Sequence, residues 1–353
     1  MTASLVEQGR EPFDVAALET YLRAAIPGFA GPVTVTRFKG GQSNPTYLLA
    51  TPARQYVMRC KPAPVAQLLP SAHAVEREYR LQRALAGSAV PVARMHCLCE
   101  DEAVIGRAFY VMDFVEGRIF WDQSLPGMEP GERTAVYDEL NRVIAALHAV
   151  DFDALGLADY GKAGNYFSRQ VDRWTRQYRA SETGRVEAME TLIDWLPRHI
   201  PQEQVPQVAL VHGDYRIDNV IFHPTEPRIL AVIDWELSTL GHPLADFAYH
   251  LMSWHIVPGG ALRGLAGLDL EALGIPMQSD YTAAYEQRIG RSAAGDWNYY
   301  LAYNLFRIAA ILQGIAKRVQ EGTASSPQAA EYGRQVQPLA ELGCRFAGQV
   351  QSA

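Results

Sequence analysis

The spacing of apolar residues predicts a first part of the chain that is rich in strands. Val15, Leu18, Leu22 and Ile26 recur at helical spacing behind Asp14 and predict one opening helix, after which the runs become short and β-prone. Turn-forming residues separate these runs, which is typical of an antiparallel meander. The predicted elements are a helix from residue 14 to 27, strands at 33–38, 46–51 and 55–60, a helix at 74–85, and strands at 95–99 and 109–114.

Beyond residue 116 the apolar spacing is mainly helical. Three apolar faces stand out: Val136, Leu140, Val143, Ile144 and Leu147; Phe167, Val171, Trp174 and Tyr178; and Leu301, Leu305, Ile308, Leu312, Ile315 and Val319. Short apolar runs at 208–211, 220–222 and 229–233 predict a few strands among these helices. The sequence therefore predicts an α+β fold, with a small first lobe at 1–115 and a larger helical lobe at 116–353.

Composition and charge narrow the class of protein. The chain has 353 residues, 48% of them hydrophobic, and a formal net charge of −7, which is typical of a globular protein and argues against nucleic acid as a partner. No apolar run approaches the length of a membrane span, and the first ten residues show no signal core. The four cysteines fit no zinc or redox spacing. We expect a cytoplasmic protein without a membrane partner.

The motif with the clearest chemical meaning lies between two of the short strands. Residues 211–219 read Val-His-Gly-Asp-Tyr-Arg-Ile-Asp-Asn and place Asp214 five positions before Asn219 in a predicted tight loop. Phosphoryl transfer needs a carboxylate that orients the attacking hydroxyl and oxygen ligands that hold Mg²⁺. Asp214 and Asn219 are spaced so that both can serve one such reaction.

A second carboxylate, Asp234, follows the apolar run at 229–233, at a distance along the chain that fits a hairpin bringing Asp234 beside Asn219. The pattern His-Gly-Asp-x-x-x-x-Asn, followed by Ile-Asp-Trp-Glu, resembles the aminoglycoside phosphotransferase family, relatives of choline kinases and protein kinases. The resemblance implies a bilobal protein-kinase-like fold with ATP as the phosphate donor. It further implies that Asp214 is the catalytic residue and that Asn219 and Asp234 bind Mg²⁺.

The resemblance assigns a phosphate-covering loop to the first lobe. Gly40, Gly41 and Ser43 lie between two predicted strands, where kinases carry this loop. Glycine lets backbone N–H groups approach phosphate oxygens, and the serine hydroxyl can also donate. A plain hairpin turn is the alternative interpretation of the same residues.

A cation for the ATP phosphates is expected on the strand at 55–60. Arg59 matches the family position, and Lys61, two residues further on, remains an alternative because it projects from the same strand face. Glu78 in the next helix matches the carboxylate that pairs with this cation. Glu76 lies about 200° away around the helix, so the two glutamates cannot both serve.

Two further segments are consistent with the family pattern. Residues 109–117 resemble the kinase hinge, where adenine binds main-chain groups, here those of Asp113 and Val115. Asp246 matches a family position and is expected to brace the catalytic loop rather than contact substrate. His212 is expected to form hydrogen bonds within the loop rather than act as a base.

The acceptor is the open question. Residues 254–300 hold five acidic residues against three arginines, a mild excess for binding polycationic aminoglycosides. Four arginines share one face of a predicted helix: Arg169, Arg173, Arg176 and Arg179. This face is either the solvated back of an amphipathic helix or a binding surface for an anionic substrate. The stretch 59–80 also resembles the kinase domain attached to some acyl-CoA dehydrogenases, which are associated with phosphorylation of hydroxyacyl-CoA compounds.

The sequence therefore predicts a small-molecule kinase that uses ATP and Mg²⁺ and phosphorylates a hydroxyl group of a hydroxyacyl-CoA-type or other anionic metabolite. The alternatives are an aminoglycoside or amino-alcohol kinase and a catalytically silent nucleotide-binding regulator. Only twelve positions separate Asp234 from Asp246, so no activation segment of the protein-kinase type is expected.

Overall fold

The computed structural model describes residues 6–7, 13–38, 44–62, 74–162, 164–202, 207–259, 262–290, 297–323 and 329–350. The strands are β1 (Val6–Glu7), β2 (Thr34–Phe38), β3 (Thr46–Ala50), β4 (Gln55–Cys60), β5 (Met95–Cys99), β6 (Phe109–Asp113), β7 (Ala209–Val211), β8 (Val220–Phe222), β9 (Ile229–Val232) and β10 (Thr239–Gly241). The helices are α1 (Val15–Ala25), α2 (Val75–Leu85), α3 (Pro130–His148), α4 (Tyr166–Ser181), α5 (Glu187–Trp195), α6 (Pro243–Leu251), α7 (Leu270–Leu273), α8 (Gln278–Ile289), α9 (Trp297–Gln320), α10 (Ala329–Arg334) and α11 (Val336–Ala347).

Helix α1 begins where the sequence predicts it, at a side-chain cap. The Asp14 carboxylate accepts hydrogen bonds from the backbone N–H groups of Ala16 at 2.8 Å and Ala17 at 3.3 Å. Such a cap satisfies donors that a helix end leaves unpaired and contributes about 1 kcal/mol. Leu18 and Leu22 are buried against the sheet, so the apolar face that identified the helix is also the face that packs.

The meander predicted for the first part of the chain is a six-stranded antiparallel sheet. Its strand order is β1-β2-β3-β4-β6-β5, and β4 lies between β3 and β6. The apolar residues that cover it include Tyr47, Met58 and Phe109, none more than 1% exposed. Helix α2 contacts β5 and β6. A central strand is held on both edges by ladder hydrogen bonds, so side chains on β4 have fixed positions.

Two short antiparallel pairs adjoin the 211–219 motif along the chain. β7 pairs with β10, and β8 pairs with β9 in a hairpin whose register places Val220 opposite Val232. The hairpin predicted from the spacing of the apolar runs is therefore present. β10 has only three residues, too few for an alternation pattern, and the sequence analysis did not identify it.

The helical second part of the chain buries most of the faces that its apolar spacing predicts, but Val319, at the end of the third face, is exposed. In α4 the buried side chains are Phe167, Val171, Trp174, Tyr178 and Ser181. Helix α9 is 24 residues long and packs against α4, α6 and α11. Asn304 on α9 donates to the carbonyl of Ala245 on α6 at 2.8 Å. Among the described helices, none combines the length and the apolar character that a bilayer crossing requires.

The chain forms two compact units with interleaved sequence. The first unit comprises residues 1–118, 153–157 and 220–238, and the second comprises 119–152, 158–219 and 239–353. The first unit therefore includes the β8–β9 hairpin, which lies far along the chain from the six-stranded sheet. A division of the sequence at residue 115 does not show this interleaving.

Candidate active site

The second unit positions Asp214 on a loop that other residues hold by its backbone. The Asp246 carboxylate on α6 accepts the N–H groups of His212 and Gly213, each at 2.8 Å. Gly213 has φ 83°, a left-handed conformation that glycine adopts without strain. Nδ1 of His212 accepts the N–H of Asp214 at 3.1 Å. The predicted bracing roles of Asp246 and His212 are confirmed, because both side chains are buried and form hydrogen bonds within the loop.

Asp246 is suited to this role because it stays ionised inside the protein. Its carboxyl is 3% exposed, and burial alone would raise its pKa. The hydrogen bond and charge of His148, at 3.2 Å, together with the groups of His212, hold the pKa below its ordinary value. Hydrogen bonds to the charged form of a carboxyl shift its pKa in this direction.

The Asp214 carboxylate is held by two donors and remains partly open. The Tyr249 hydroxyl donates to Oδ1 at 2.5 Å, and the Asn219 amide donates to Oδ2 at 2.9 Å. Arg216 lies 3.2 Å from Oδ1 as an ion pair. The side chain is 20% exposed, so an approaching hydroxyl can reach it. The expectation that Asp214 and Asn219 point into the same space is confirmed.

Asn219 has the right chemistry for a metal ligand. Its amide nitrogen makes both bonds to Asp214, to the side chain at 2.9 Å and to the main-chain carbonyl at 2.8 Å. The amide oxygen takes no part in these two bonds. Mg²⁺ prefers oxygen ligands, so this orientation of the side chain fits the predicted role.

The first unit gathers one guanidinium and three carboxylates. Arg59 on β4 lies 3.1 Å from Glu78 on α2, 2.8 Å from Asp234 and 3.0 Å from Glu236. The sequence predicted the pairing of Arg59 with Glu78, and the structure shows it. Lys61 pairs instead with Glu76. Negative charge exceeds positive charge in this cluster, an arrangement that favours a cation.

The Glu78 carboxylate is buried and takes part in two hydrogen bonds and an ion pair. It is 2% exposed and accepts hydrogen bonds from Asn44 at 2.9 Å and Tyr110 at 3.0 Å, besides its ion pair with Arg59. Burial raises the pKa of the Glu78 carboxyl above its ordinary value, and the Arg59 charge opposes that shift. Burial would lower the pKa of Arg59, but Glu78 and Asp234 raise it, so the guanidinium keeps its charge.

Asp234 adopts a conformation that the sequence analysis did not foresee. Its backbone has φ 65° and ψ 57°, in the left-handed region. A non-glycine residue there costs on the order of 1 kcal/mol, and aspartate tolerates the region better than most residues. The side chain is 36% exposed while it pairs with Arg59. Strained carboxylates of this kind recur at ligand-binding sites.

The remaining predicted residues belong to the phosphate-covering loop and to the adenine-binding segment. Gly40, Gly41 and Ser43 lie outside the described residues, although the strands on either side, β2 and β3, pair as expected. The N–H of Asp113 donates to the carbonyl of Arg94 at 2.9 Å, so adenine would need other main-chain groups, such as the N–H of Val115.

Sequence reasoning missed several contributors to these two clusters: Asn44, Tyr110 and Glu236 in the first unit, and Arg216, Tyr249 and Arg307 in the second. Glu236 lies two positions after Asp234 in the same motif, so its place was visible in the sequence. Arg307 is the one charged residue among the buried residues of α9 and is 6% exposed, and apolar spacing alone gives no reason to expect it there.

Comparisons with known proteins show which proteins this chain resembles. Acyl-CoA dehydrogenase family member 10 of Mus musculus is 47% identical over 333 residues, which cover 94% of this chain and 31% of that protein. The chain thus spans less than half the length of the curated relatives it matches. A crystal structure of a candidate aminoglycoside phosphotransferase from Ralstonia eutropha is 61% identical, with a TM-score of 0.88, covering 96% of this chain and 100% of that chain.

A more distant structure shows how widely the fold is shared. Aminoglycoside phosphotransferase APH(4)-Ia, in ternary complex with AMP-PNP and hygromycin B, is 18% identical with a TM-score of 0.60, covering 95% of this chain and 99% of that chain. The predicted kinase-like fold, with an antiparallel sheet and many helices, is therefore confirmed. Residues 34–282 match the APH group described as the phosphotransferase enzyme family, and this chain belongs to that family.

Proposed function

We propose that this protein transfers the γ-phosphate of ATP to a hydroxyl group of a small molecule, with Asp214 as the catalytic carboxylate. The observation that carries the proposal is the state of Asp214: partly exposed, with each oxygen held by a donor, on a loop braced by Asp246. A carboxylate in such a setting can orient a hydroxyl and accept its proton.

The proposed reaction forms one bond and breaks one. The acceptor oxygen attacks the γ-phosphorus, the bond from that phosphorus to the β–γ bridging oxygen breaks, and ADP leaves. The hydroxyl proton passes to the Asp214 carboxylate. Because little covalent chemistry is required of the protein, rate enhancement comes mainly from positioning and neutralisation of charge.

In this proposal the other residues hold the nucleotide and its metal. Asn219 and Asp234 bind Mg²⁺ through oxygen atoms, and the ion neutralises charge on the phosphates. Arg59 binds phosphate oxygens and Glu78 orients it, as their buried pairing supports. Gly40, Gly41 and Ser43 cover the phosphates, and Asp113 and Val115 border the adenine. Lys61, paired with Glu76, is the weaker candidate for the phosphate cation.

The first test is the substitution Asp214→Asn, which keeps the shape of the side chain and removes its charge. We expect kcat to fall by roughly 10²- to 10⁴-fold, the usual contribution of a positioned acid or base, with ATP affinity nearly unchanged. Coupled ADP release and calorimetric ATP binding measure the two quantities. Asp194→Asn, an exposed position on α5, makes the same chemical change as a control.

Turnover by Asp214→Asn at the wild-type rate would refute the role of Asp214. ATP binding without ATP consumption, across hydroxylated acyl-CoAs, amino alcohols, sugars and aminoglycosides, would identify a silent nucleotide-binding protein instead.

The finer part of the proposal is an anionic acceptor, with a hydroxyacyl-CoA-type metabolite as the leading choice. Of the four arginines on the helix face that suggested this acceptor, two are engaged in contacts within the protein. Arg169 donates to the carbonyls of Gly164 and Lys162, and Arg179 pairs with Glu182 at 2.9 Å and with Glu190. Intramolecular contacts therefore account for these two arginines.

Arg173 and Arg176 are the two members of the face that lack a carboxylate partner among the described residues. Arg173 lies over the indole of Trp174, 5.0 Å from its centroid, and Arg307 lies 5.4 Å from the same ring. Burial and the nearby charge of Arg307 lower the pKa of Arg173. Two guanidiniums around one ring favour an anionic group, which supports the acceptor class.

Charge reversal at Arg173 tests the acceptor class. In Arg173→Glu we expect KM for a hydroxyacyl-CoA to rise about tenfold, the effect of losing one charge-assisted hydrogen bond, with KM for ATP unchanged. Arg185→Glu, at an exposed arginine of the same unit, is the control. Unchanged kinetics in Arg173→Glu would refute the anionic acceptor and leave the kinase chemistry unaffected.

A cytoplasmic location also remains part of the proposal, and it rests on the cysteine spacing alone.

A further inference from the structure

Tyr249 makes the shortest contact to the Asp214 carboxylate among the described residues. It lies on α6, one turn after Asp246, and is 5% exposed. Its hydroxyl donates to Oδ1 at 2.5 Å, whereas Asn219 donates to Oδ2. Arg216 lies 3.2 Å from the same Oδ1 as an ion pair. Each oxygen of the carboxylate therefore has a hydrogen-bond donor, and these contacts set the plane of the carboxylate from both sides.

Arg307 fixes both Tyr249 and the catalytic loop. Its guanidinium lies 4.9 Å from the centroid of the Tyr249 ring and also donates to the main-chain carbonyl of Gly213. Cation–π contacts and charge-assisted hydrogen bonds are both strong when buried, and Arg307 is 6% exposed. One side chain on α9 thus holds the phenol and the backbone next to Asp214.

The Tyr249 hydroxyl acts as a hydrogen-bond donor and not as a second base. Burial and the charge of Asp214 raise the pKa of Tyr249 well above its ordinary value, so the O–H keeps its proton. A donor that cannot ionise restrains the carboxylate without competing for the proton of the acceptor hydroxyl.

We propose that Tyr249, held by Arg307, is a positioning residue for phosphoryl transfer: its hydroxyl fixes one oxygen of Asp214 so that the carboxylate meets the acceptor hydroxyl in a single orientation. The inference rests on the proposed function of Asp214. Neither residue needs to touch substrate, because both act through the carboxylate and its loop.

The test is Tyr249→Phe, which removes one oxygen and leaves the ring. We expect kcat to fall roughly 10- to 100-fold, the range for loss of a hydrogen bond to a charged group, with both KM values and the Kd for ATP within about twofold of wild type. Arg307→Lys is expected to lower kcat by a smaller factor in the same way. Single-turnover phosphoryl transfer separates this effect from product release.

A matched control removes a similar buried phenol away from the loop. The Tyr137 hydroxyl donates to the carbonyl of Gln123 at 2.6 Å in the same unit, and its ring is fully buried. Tyr137→Phe should keep the wild-type kcat even if its melting temperature falls. Equal losses of kcat in both variants would show a general effect of destabilisation and overturn the inference.

The double variant distinguishes the two proposals. If Tyr249 acts through Asp214, then adding Tyr249→Phe to Asp214→Asn lowers kcat no further. Wild-type turnover by Tyr249→Phe, with Asp214→Asn inactive, would overturn the role of Tyr249 alone. Wild-type turnover by Asp214→Asn would overturn the proposed function itself. Should Tyr249→Phe not fold, Arg307→Lys decides the inference by the same comparison.

Discussion

At the scale of single residues, three aspartates show how surroundings assign roles to one side chain. Asp246 is buried, accepts two backbone N–H groups and has a lowered pKa, so it serves as a brace. Asp214 is 20% exposed and is held by Tyr249 and Asn219 beside an ion pair with Arg216, so it can meet a reactant. Asp234 sits in a left-handed backbone conformation beside Arg59. The residue type alone does not distinguish these roles, since all three residues are aspartates.

Gly117 has no side chain, which allows its backbone to approach the β8 strand closely. A Cβ at this position would overlap the carbonyl oxygen of Phe222 and the side chain of Ile221. The next residue, Arg118, exchanges two backbone hydrogen bonds with Phe222, each 2.8 Å long. We expect Gly117→Ala to lower the free energy of unfolding by about 1–3 kcal/mol, because the backbone must shift to admit the methyl group. Urea denaturation measures this change.

The control for this prediction is Gly131→Ala. Gly131 lies in the first turn of α3, and a Cβ there meets nothing within 4 Å. Alanine favours helix over glycine, so the variant should be neutral or more stable by up to about 1 kcal/mol. A loss of stability at residue 131 equal to that at residue 117 would contradict the steric explanation.

At the scale of elements, much of the fold was predictable from spacing. The strands at 55–60 and 95–99 were predicted with the observed bounds, and α2 differs from its prediction by one residue. Long apolar faces and turn residues carry this information locally. β10 and the short helix α7 were not predicted, because β10 reads Thr-Leu-Gly and has no apolar run, and the four residues of α7 make only about one helical turn.

The candidate site was predictable to the extent that its residues share a motif. Asp214, Asn219 and Asp234 lie within 21 positions and were found together. Tyr249 and Arg307 come from helices α6 and α9, and their approach to Asp214 depends on how those helices pack. No local pattern encodes that packing, so the supporting residues could not be predicted.

The pairing of β4 with α2 through Arg59 and Glu78 leads to a prediction about stability. The two side chains are 12% and 3% exposed, so loss of Arg59 leaves the Glu78 carboxylate buried without its positive partner. We expect Arg59→Met to lower the free energy of unfolding by about 3–5 kcal/mol. In a double-mutant cycle with Glu78→Gln, the double variant should lose clearly less than the sum of the single variants.

A surface pair provides the comparison for this cycle. Arg23 and Glu19 lie 2.6 Å apart on α1, with side chains 50% and 21% exposed. Solvent screens such a pair, and its coupling should not exceed about 0.5 kcal/mol. Similar coupling in the two cycles would show that burial does not strengthen the Arg59–Glu78 interaction.

At the scale of the whole molecule, stability should depend on pH through a buried histidine of the second unit. His250 is 2% exposed, and its Nε2 lies 2.9 Å from the Tyr281 hydroxyl. Burial lowers the pKa of His250 from 6.5 to about 4, although the Tyr215 carbonyl and the charge of Asp246 oppose the shift. The folded protein therefore keeps this imidazole neutral under conditions in which the unfolded chain protonates it.

The sign of the effect follows from proton binding. Between pH 6.5 and about 4 the unfolded chain binds a proton at residue 250 that the folded protein does not, so stability falls as pH falls through this range. The total loss is on the order of 3 kcal/mol. Urea unfolding at pH 7, 6 and 5 should show a shallower pH dependence for His250→Gln than for wild type. Parallel curves would show that His250 is not responsible.

The interleaving of the two units has a consequence for the order in which the protein is made. Arg59 and Glu78 leave the ribosome before Asp234 and Glu236, which follow Arg59 by 175 and 177 positions. At a synthesis rate of about 5–20 residues per second, the stretch from residue 118 to residue 238 takes about 6–24 s. During that interval the strands of the six-stranded sheet have been synthesised but the hairpin has not, and Glu78 is the one carboxylate of the three that is available to Arg59. A nascent chain halted in this window would carry an incomplete first unit, however well its sheet had formed.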